Sequence, residues 1–344
     1  MRVIYLIILM IYFSLAHAMG ESNEDLMFSA VITGHLKAVK QQLTSGIDVN
    51  ITDEAQRTPL MHAAQQGHIL ICKELIDRGA DLERQDHHGK TALIWSAWGG
   101  YADVVQLLAD KGASLNVQDN QGYNAFFWAV KRDYEKAAIY LLNQGSNANV
   151  KNNLGSTPLI ESVQRNYLTL AQSLITSGVD PNLPDKYGRT ALSYAIKLGY
   201  KNVETQLLAQ SRIAKVSDIE GHSLLHTAAL HGRVDLINAL LIKQANINAR
   251  THSGNTALML ATAKKHKAAM RLLMSKKSKL NIKNNLGNTA LHLAANTGDE
   301  QLVFALIDAG AKHNVRNSLN EKPIDIARNK RLPRIVKLLQ KLER

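Results

Sequence analysis

Apolar residues along this 344-residue chain fall in short helical stripes that return at a fixed interval. Leucine recurs every 33 residues from Leu75 through Leu108, Leu141, Leu174, Leu207, Leu240, Leu273 and Leu306 to Leu339. Twenty-two residues earlier in each case stands a starter, at 53, 86, 119, 152, 185, 218, 251, 284 and 317. In most intervals a Gly follows three residues on, then Thr or a substitute, then an apolar run. Asp53 to Ala64 reads DEAQRTPLMHAA, Asn284 to Ala295 reads NNLGNTALHLAA, and Asp218 to Ala229 reads DIEGHSLLHTAA. An internal period of this size predicts stacked pairs of helices, each pair unable to bury its apolar face alone.

The polar positions supply the punctuation. A Gly in the fourth place permits a tight turn, and Thr58, Thr91, Thr157, Thr190, Thr256 and Thr289 offer a hydroxyl to the free amides of a first helix. Pro59 and Pro158 fit its first turn, where no donor is needed. The second helix carries the leucine and ends at Gly112, Gly310 or their equivalents. Two intervals depart from the pattern: Ser211 to Val216 replaces the usual closure, and Lys277 stands in a Gly place. A local change of twist splitting the array is expected near 211–217.

On period, motif and phase together, the chain resembles an ankyrin-repeat protein from Glu24 to Arg344. The resemblance implies an all-α solenoid of helix–turn–helix repeats with short β-turn or hairpin loops, forming one elongated domain. The expected organisation is a signal segment at 1–18, a divergent capping repeat at 19–52 with Gly34, His35, Gly46, Asp48 and Asn50 at the expected offsets, and eight repeats over 53–316. These run 53–85, 86–118, 119–151, 152–184, 185–217, 218–250, 251–283 and 284–316, with a C-terminal cap at 317–344. In the cap, Ile335, Leu338, Leu339 and Leu342 share one helical face against Arg334, Lys337, Lys341 and Arg344.

The first residues lie off the beat. Arg2, the apolar run Val3 to Leu15 and Ala16-His17-Ala18 read as a signal peptide cleaved after Ala18. The run is short of the roughly 20 residues that span a bilayer. Export to a periplasm or outside the cell is therefore expected, with bacterial wording in the composition. The lone Cys72 forms no intramolecular disulfide and falls on an apolar stripe with Ile69, Leu75 and Ile76, so a small buried hydrophobe is expected.

Charge is uneven. Residues 1–250 carry 23 Lys/Arg and 23 Asp/Glu, whereas 251–344 carry 18 and 6, so the whole formal charge of +12 lies in the last repeats. Lys264, Lys265, Lys267, Arg271, Lys276, Lys277 and Lys279 form the expected basic patch. It reads either as a solvated polar cap or as a site for an acidic protein, a membrane or an envelope polymer. Nucleic acid is disfavoured, because no helix-turn-helix, zinc or single-strand motif accompanies the charge.

The resemblance further implies that turn tips and the exposed side of the first helices form one concave contact surface. The corresponding positions are Arg57, Gln65, Gln66, His87, His88, Lys90, Trp98, Tyr123, Lys131, Arg132, Gln164, Arg165, Tyr187, Arg189, Lys197, His222, His231, His252 and Lys264. Exposed aromatics among arginines have the composition of interface hot spots, which singles out Trp98, Tyr123, Lys131, Arg132, Arg165, Tyr187 and Arg189. Trp95, Trp128 and Tyr194, ten places into their repeats, are expected to pack inward.

Little else points to chemistry. His222, His226, His231 and the pair His87-His88 lack metal-ligand spacing, and the resemblance implies that His226 and His292 bond turn backbone. There is no nucleophile elbow, no Cys beside a His and no phosphate loop. No enzyme activity, metal or cofactor is expected. The reading is a monomeric, non-catalytic scaffold that binds a protein partner, with an anionic-surface binder and a secreted effector acting in a host cell as alternatives.

Overall fold

A computed structural model describes residues 22–210 and 217–342. The expected signal segment at 1–18, residues 211–216 of the break expected near 211–217, and Arg344 lie outside the described residues. The chain divides into two compact units, Met1–Val179 and Asp180–Arg344. Among the described residues there are 20 α-helices and no strand. None of the helices is long and apolar enough to cross a membrane.

The N-terminal unit holds ten helices in five pairs: α1 (Asn23–Ile32) and α2 (Leu36–Thr44), α3 (Pro59–Gln66) and α4 (Ile69–Asp77), α5 (Ala92–Gly99) and α6 (Ala102–Asp110), α7 (Ala125–Lys131) and α8 (Glu135–Asn143), α9 (Pro158–Gln164) and α10 (Leu168–Thr176). The C-terminal unit repeats the arrangement with α11 (Ala191–Leu198) and α12 (Lys201–Gln210), α13 (Leu224–Leu230) and α14 (Val234–Ile242), α15 (Ala257–Ala263) and α16 (Lys267–Ser275), α17 (Ala290–Thr297) and α18 (Glu300–Asp308), α19 (Pro323–Asn329) and α20 (Pro333–Gln340). In each unit first helices pack on first helices, and second helices pack on second helices as α2 on α4, α4 on α6 and α6 on α8 in the first and α14 on α16 and α18 on α20 in the second. All nine leucines of the 33-residue series are buried. Cys72 is buried beside them, and that burial pushes its thiol up to about 12.

Each turn is closed by its starter. The Oδ1 atoms of Asp53, Asp86, Asp119 and Asn152 accept from the amides two and four residues on, at 2.8–3.0 Å. Asp185, Asp218, Asn284 and Asn317 do the same in the C-terminal unit. Neighbouring turns are then stitched by one backbone bond, such as His87 N to Ala55 O (3.0 Å) and Asn120 N to His88 O (2.9 Å). The Thr hydroxyls cap as expected, with Thr58, Thr91, Thr157, Thr190 and Thr256 each accepting from the amide three residues on. Thr289 differs, because its hydroxyl meets His292 Nδ1 at 2.9 Å.

Second helices end in the left-handed region, as at Gly79 (φ 87°), Gly112 (91°) and Gly310 (89°). Lys277 takes the same conformation at φ 61°, so its substitution for Gly leaves the backbone path of that repeat in place at a steric cost. The cap is as predicted for Ile335 and Leu339, which are buried. Leu342 is 38% exposed, because α20 ends at Gln340 and the apolar stripe ends with it.

His226 fastens α13 to the closing loop of its own repeat, and His292 fastens α17 to the repeat that follows. Each Nδ1 accepts a backbone amide (Ser223 N and Thr289 N, both 3.1 Å), so each Nε2 carries the proton and donates to Ala249 O (2.9 Å) or Glu321 O (3.1 Å). Burial is the main reason both imidazoles lie below the ordinary histidine value of 6.5. The unfolded chain therefore takes up protons at a higher pH than the folded one. Stability is complete above pH 6.5 and falls as pH drops from there toward the depressed folded values. Thermal midpoints measured from pH 8 to pH 5 are expected to decline below about 6.5, with a shallower decline in a His226→Asn, His292→Asn variant; a midpoint independent of pH in this window contradicts the assignment.

Candidate protein-binding surface

The side chains with most chemistry in the N-terminal unit gather on the turns starting at Asp53, Asp86 and Asp119 and on α3, α5 and α7, which pack in that order. The starter carboxylates organise them. While Oδ1 closes the turn, Oδ2 of Asp86 accepts from Trp95 Nε1 at 2.9 Å, and Oδ2 of Asp119 accepts from Trp128 Nε1 at 2.7 Å. Asp53 Oδ2 faces His62 Nε2 at 2.8 Å. Each ring stands nine residues after its aspartate, and each indole is fixed by its polar edge with its faces set toward neighbouring turns. The same device in the C-terminal unit joins Asp185 Oδ2 to the Tyr194 hydroxyl at 2.7 Å.

Cations occupy those faces. The Arg57 guanidinium lies 4.5 Å from the Trp95 ring centre and Lys90 Nζ lies 4.3 Å from it. Lys90 Nζ is also 4.6 Å from Trp128, and Lys131 Nζ is 4.8 Å from Trp128 and 4.0 Å from Tyr123. Rings and cations thus alternate across three repeats: Arg57, Trp95, Lys90, Trp128, Lys131, Tyr123. Alongside, Trp98 meets Trp95 edge to face at 5.5 Å, and Arg132 lies 4.3 Å from Trp98. Cation–π contacts contribute roughly 0.5–1 kcal/mol at exposed positions and about 2 when desolvated. Burial lowers the Lys90 ammonium from the ordinary lysine value, with Arg57 and Lys131 adding repulsion against the pull of Asp119 and Asp86. Burial likewise lowers Arg57, against Asp53 and Asp86.

The expected contact residues separate accordingly. Trp98, Lys131 and Arg132 come together here, half-buried or exposed. Tyr123 does not serve as an exposed aromatic: it is 7% exposed, packed against Phe127 and Trp128, and its hydroxyl accepts from Lys131 Nζ (2.8 Å) and Asn152 Nδ2 (3.1 Å). Its position faces the next helix rather than solvent, and its part is to hold Lys131. Arg165 is exposed but tied to Glu161 at 2.5 Å. Tyr187, 40% exposed, lies on the C-terminal unit beside Lys186 and Arg189. Trp95 and Trp128 are each 7% exposed, so they pack inward as expected, and Tyr194 is half-buried. Missing from the expected short list were Lys90 and Arg57 as ring partners. Their signal is positional: each stands 38 residues before the indole it covers, one repeat plus five.

In the C-terminal unit the seven patch residues lie at both ends of α16 as well as on it. Lys264 and Lys265 precede the helix, and Lys276, Lys277 and Lys279 follow its nine residues, about 13 Å away along the axis. Lys267 is held by Asp299 Oδ2 and Gln301 Oε1, both at 2.9 Å. Arg271 instead lines a groove of about 790 Å³ with Phe304, Arg334, Lys337, Lys341 and Asp308. Among the described residues one group has ligand atoms close enough for a metal: Asp218, Glu220 and His222, within 4.8 Å. Asp218 Oδ1 already accepts two turn amides there.

A family model described as Ankyrin repeats (3 copies) matches residues 26–119, 112–185, 159–251 and 225–317. The chain belongs to the ankyrin-repeat family, whose members are generally protein-binding and typically non-catalytic. Comparison with curated proteins finds no match.

If the aspartate pins the indole, removing only the second oxygen must be felt. Asp86→Asn keeps the turn acceptor but turns a donor toward Trp95, and about 1–2 kcal/mol of stability is expected to be lost; Asp86→Ala strands the turn amides too and is expected to cost about 3 kcal/mol. Urea unfolding followed by tryptophan emission measures both, and equal stability of wild type and Asp86→Asn rejects the pinning role.

Proposed function

We propose that this protein is a non-catalytic scaffold whose N-terminal unit binds a protein partner on the face carrying Trp98, Lys90, Lys131 and Arg132. The observation behind this reading is the alternating stack of pinned rings and cations. Aromatic and arginine side chains held at fixed positions give an interface large contact area at little entropic cost. Repeat arrays place such variable positions on shared surfaces while the repeated ones build the stack. A second reading, binding of an anionic surface by the last repeats, is favoured by their 18 cations against 6 carboxylates.

Affinity capture with the chain from residue 19 distinguishes them. Trp98→Ala with Arg132→Ala is expected to lose the captured protein, whereas Lys276→Gln with Lys277→Gln is expected to retain it. Equal recovery by the first variant excludes the N-terminal face. Loss only in the second variant transfers the function to the basic repeats.

Export is part of the proposal, resting on the apolar run Val3 to Leu15 before Ala16-His17-Ala18. Mass spectrometry of the protein from its producing cell is expected to find an N-terminus at Met19. An intact Met1 in the cytoplasmic fraction counts against it.

A further inference from the structure

We propose that the ring-and-cation stack of the N-terminal unit is a receptor for carboxylates, and that the partner presents an acidic, extended peptide segment to it. The proposal rests on the protein-binding reading above and names the chemistry of its ligand.

The acids of the stack are already committed. Asp53, Asp86 and Asp119 each give Oδ1 to two turn amides and Oδ2 to a ring nitrogen. Among the described residues no carboxylate lies within ion-pair distance of Arg57, Lys90, Lys131 or Arg132. Lys90 Nζ faces Trp95, Trp98 and Trp128 and has no hydrogen-bond acceptor among the described residues, so three strong donors meet only ring faces. Arg57 Nη2 reaches Gln65 Oε1, but its buried Nε has no acceptor. A buried donor without a partner is costly, and an incoming acceptor removes that cost.

The charge balance narrows the ligand. The unit as a whole has 14 Lys/Arg against 17 Asp/Glu, so the four cations of the stack stand against its net sign. Within the stack, Arg57, Lys90, Lys131 and Arg132 exceed Asp53, Asp86 and Asp119 by a single charge. That surplus matches a single carboxylate better than a phosphate dianion. The Trp95 ring has cations at 4.5 and 4.3 Å and the Trp128 ring at 4.6 and 4.8 Å, so neither is a free platform for stacking nucleic-acid bases. A net-negative unit is also repelled by an anionic membrane. An extended peptide of six residues spans about 20 Å, which covers two intervals between first helices of roughly 10 Å each.

The protein's three tryptophans, Trp95, Trp98 and Trp128, all lie in the stack, so their emission reports this site and no other. The test is titration of the chain from residue 19 with N-acetyl hexaglutamate amide. A saturable change in emission is expected, absent with hexaglutamine and weakened as salt rises from about 50 to about 500 mM. Lys90→Gln is expected to lower affinity about tenfold or more, and Lys90→Arg to retain it. Circular dichroism verifies the fold of each variant, and Lys131→Gln replaces Lys90→Gln if that variant unfolds. Lack of response to hexaglutamate overturns the proposal. So does tighter binding of a phosphoserine hexapeptide, of oligothymidylate or of phosphatidylserine vesicles. If hexaglutamate fails while Trp98→Ala with Arg132→Ala still loses a captured protein, the carboxylate chemistry is wrong and the scaffold reading stands. If hexaglutamate binds and that variant recovers every partner, the scaffold reading fails instead.

Discussion

Everything in this fold depends on how the first side chain of each repeat closes its own turn. A starter Oδ1 accepting two amides fixes the loop, and the fixed loop offers the amide one residue past the starter to a carbonyl of the preceding turn, as from His252 to Glu220 and Asn285 to Ser253. The register of one repeat on the next is thus set by backbone geometry at the turns, and the leucines need only fill the layer behind it. A slip by one residue would strand these donors as well as misplace the apolar stripe. Thr251 performs half of this closure with a hydroxyl, accepting from Asn255 N at 3.1 Å.

The choice between Asp and Asn at the starter then decides what the repeat can carry. Both close the turn, but only Asp has a second acceptor oxygen for a ring. Where Asn stands, at 152, 284 and 317, the residue nine places on is Glu161, Leu293 or Ile326, none a ring. Where Asp stands at 53, 86, 119 and 185, that residue is His, Trp, Trp or Tyr, and each meets the carboxylate. Asp218 is the exception, with Thr227 nine places on and His222 Nδ1 at 3.3 Å from Oδ1. In these four repeats the second carboxylate oxygen is what fixes the ring.

This explains which features were readable in the amino-acid order. The helix pairs, the hydroxyl caps and the backbone-bonded histidines follow from local patterns of a few residues, so the 33-residue interval exposes them directly. Burial of Tyr123 does not. Its offset marks it as a turn-tip residue, and only the presence of Phe127, Trp128 and Asn152 around it makes that offset an inward one. The ring–cation contacts were hidden for a different reason. They join the fifth place of one repeat to the tenth of the next, a relation that acquires meaning only once the turns are known to stack in register.

A composition count gives the sum of charge in each part of the chain, not the setting of each group. The excess of 18 cations over 6 carboxylates at 251–344 draws the eye, yet Lys267 is neutralised by Asp299 and Arg334 approaches Glu300 at 3.6 Å. The remaining patch cations spread to both ends of α16 and over its exposed face, where solvent screens them. In the N-terminal unit the sum is negative, but Asp53, Asp86 and Asp119 are turned onto turn amides and ring nitrogens, while Arg57, Lys90, Lys131 and Arg132 lie over the rings. Charges act more strongly over short distances where burial lowers the local dielectric, and burial is what lowers Arg57 and Lys90 from their ordinary values. Net charge describes solubility and long-range attraction; the direction in which each carboxylate points determines what the surface can recognise.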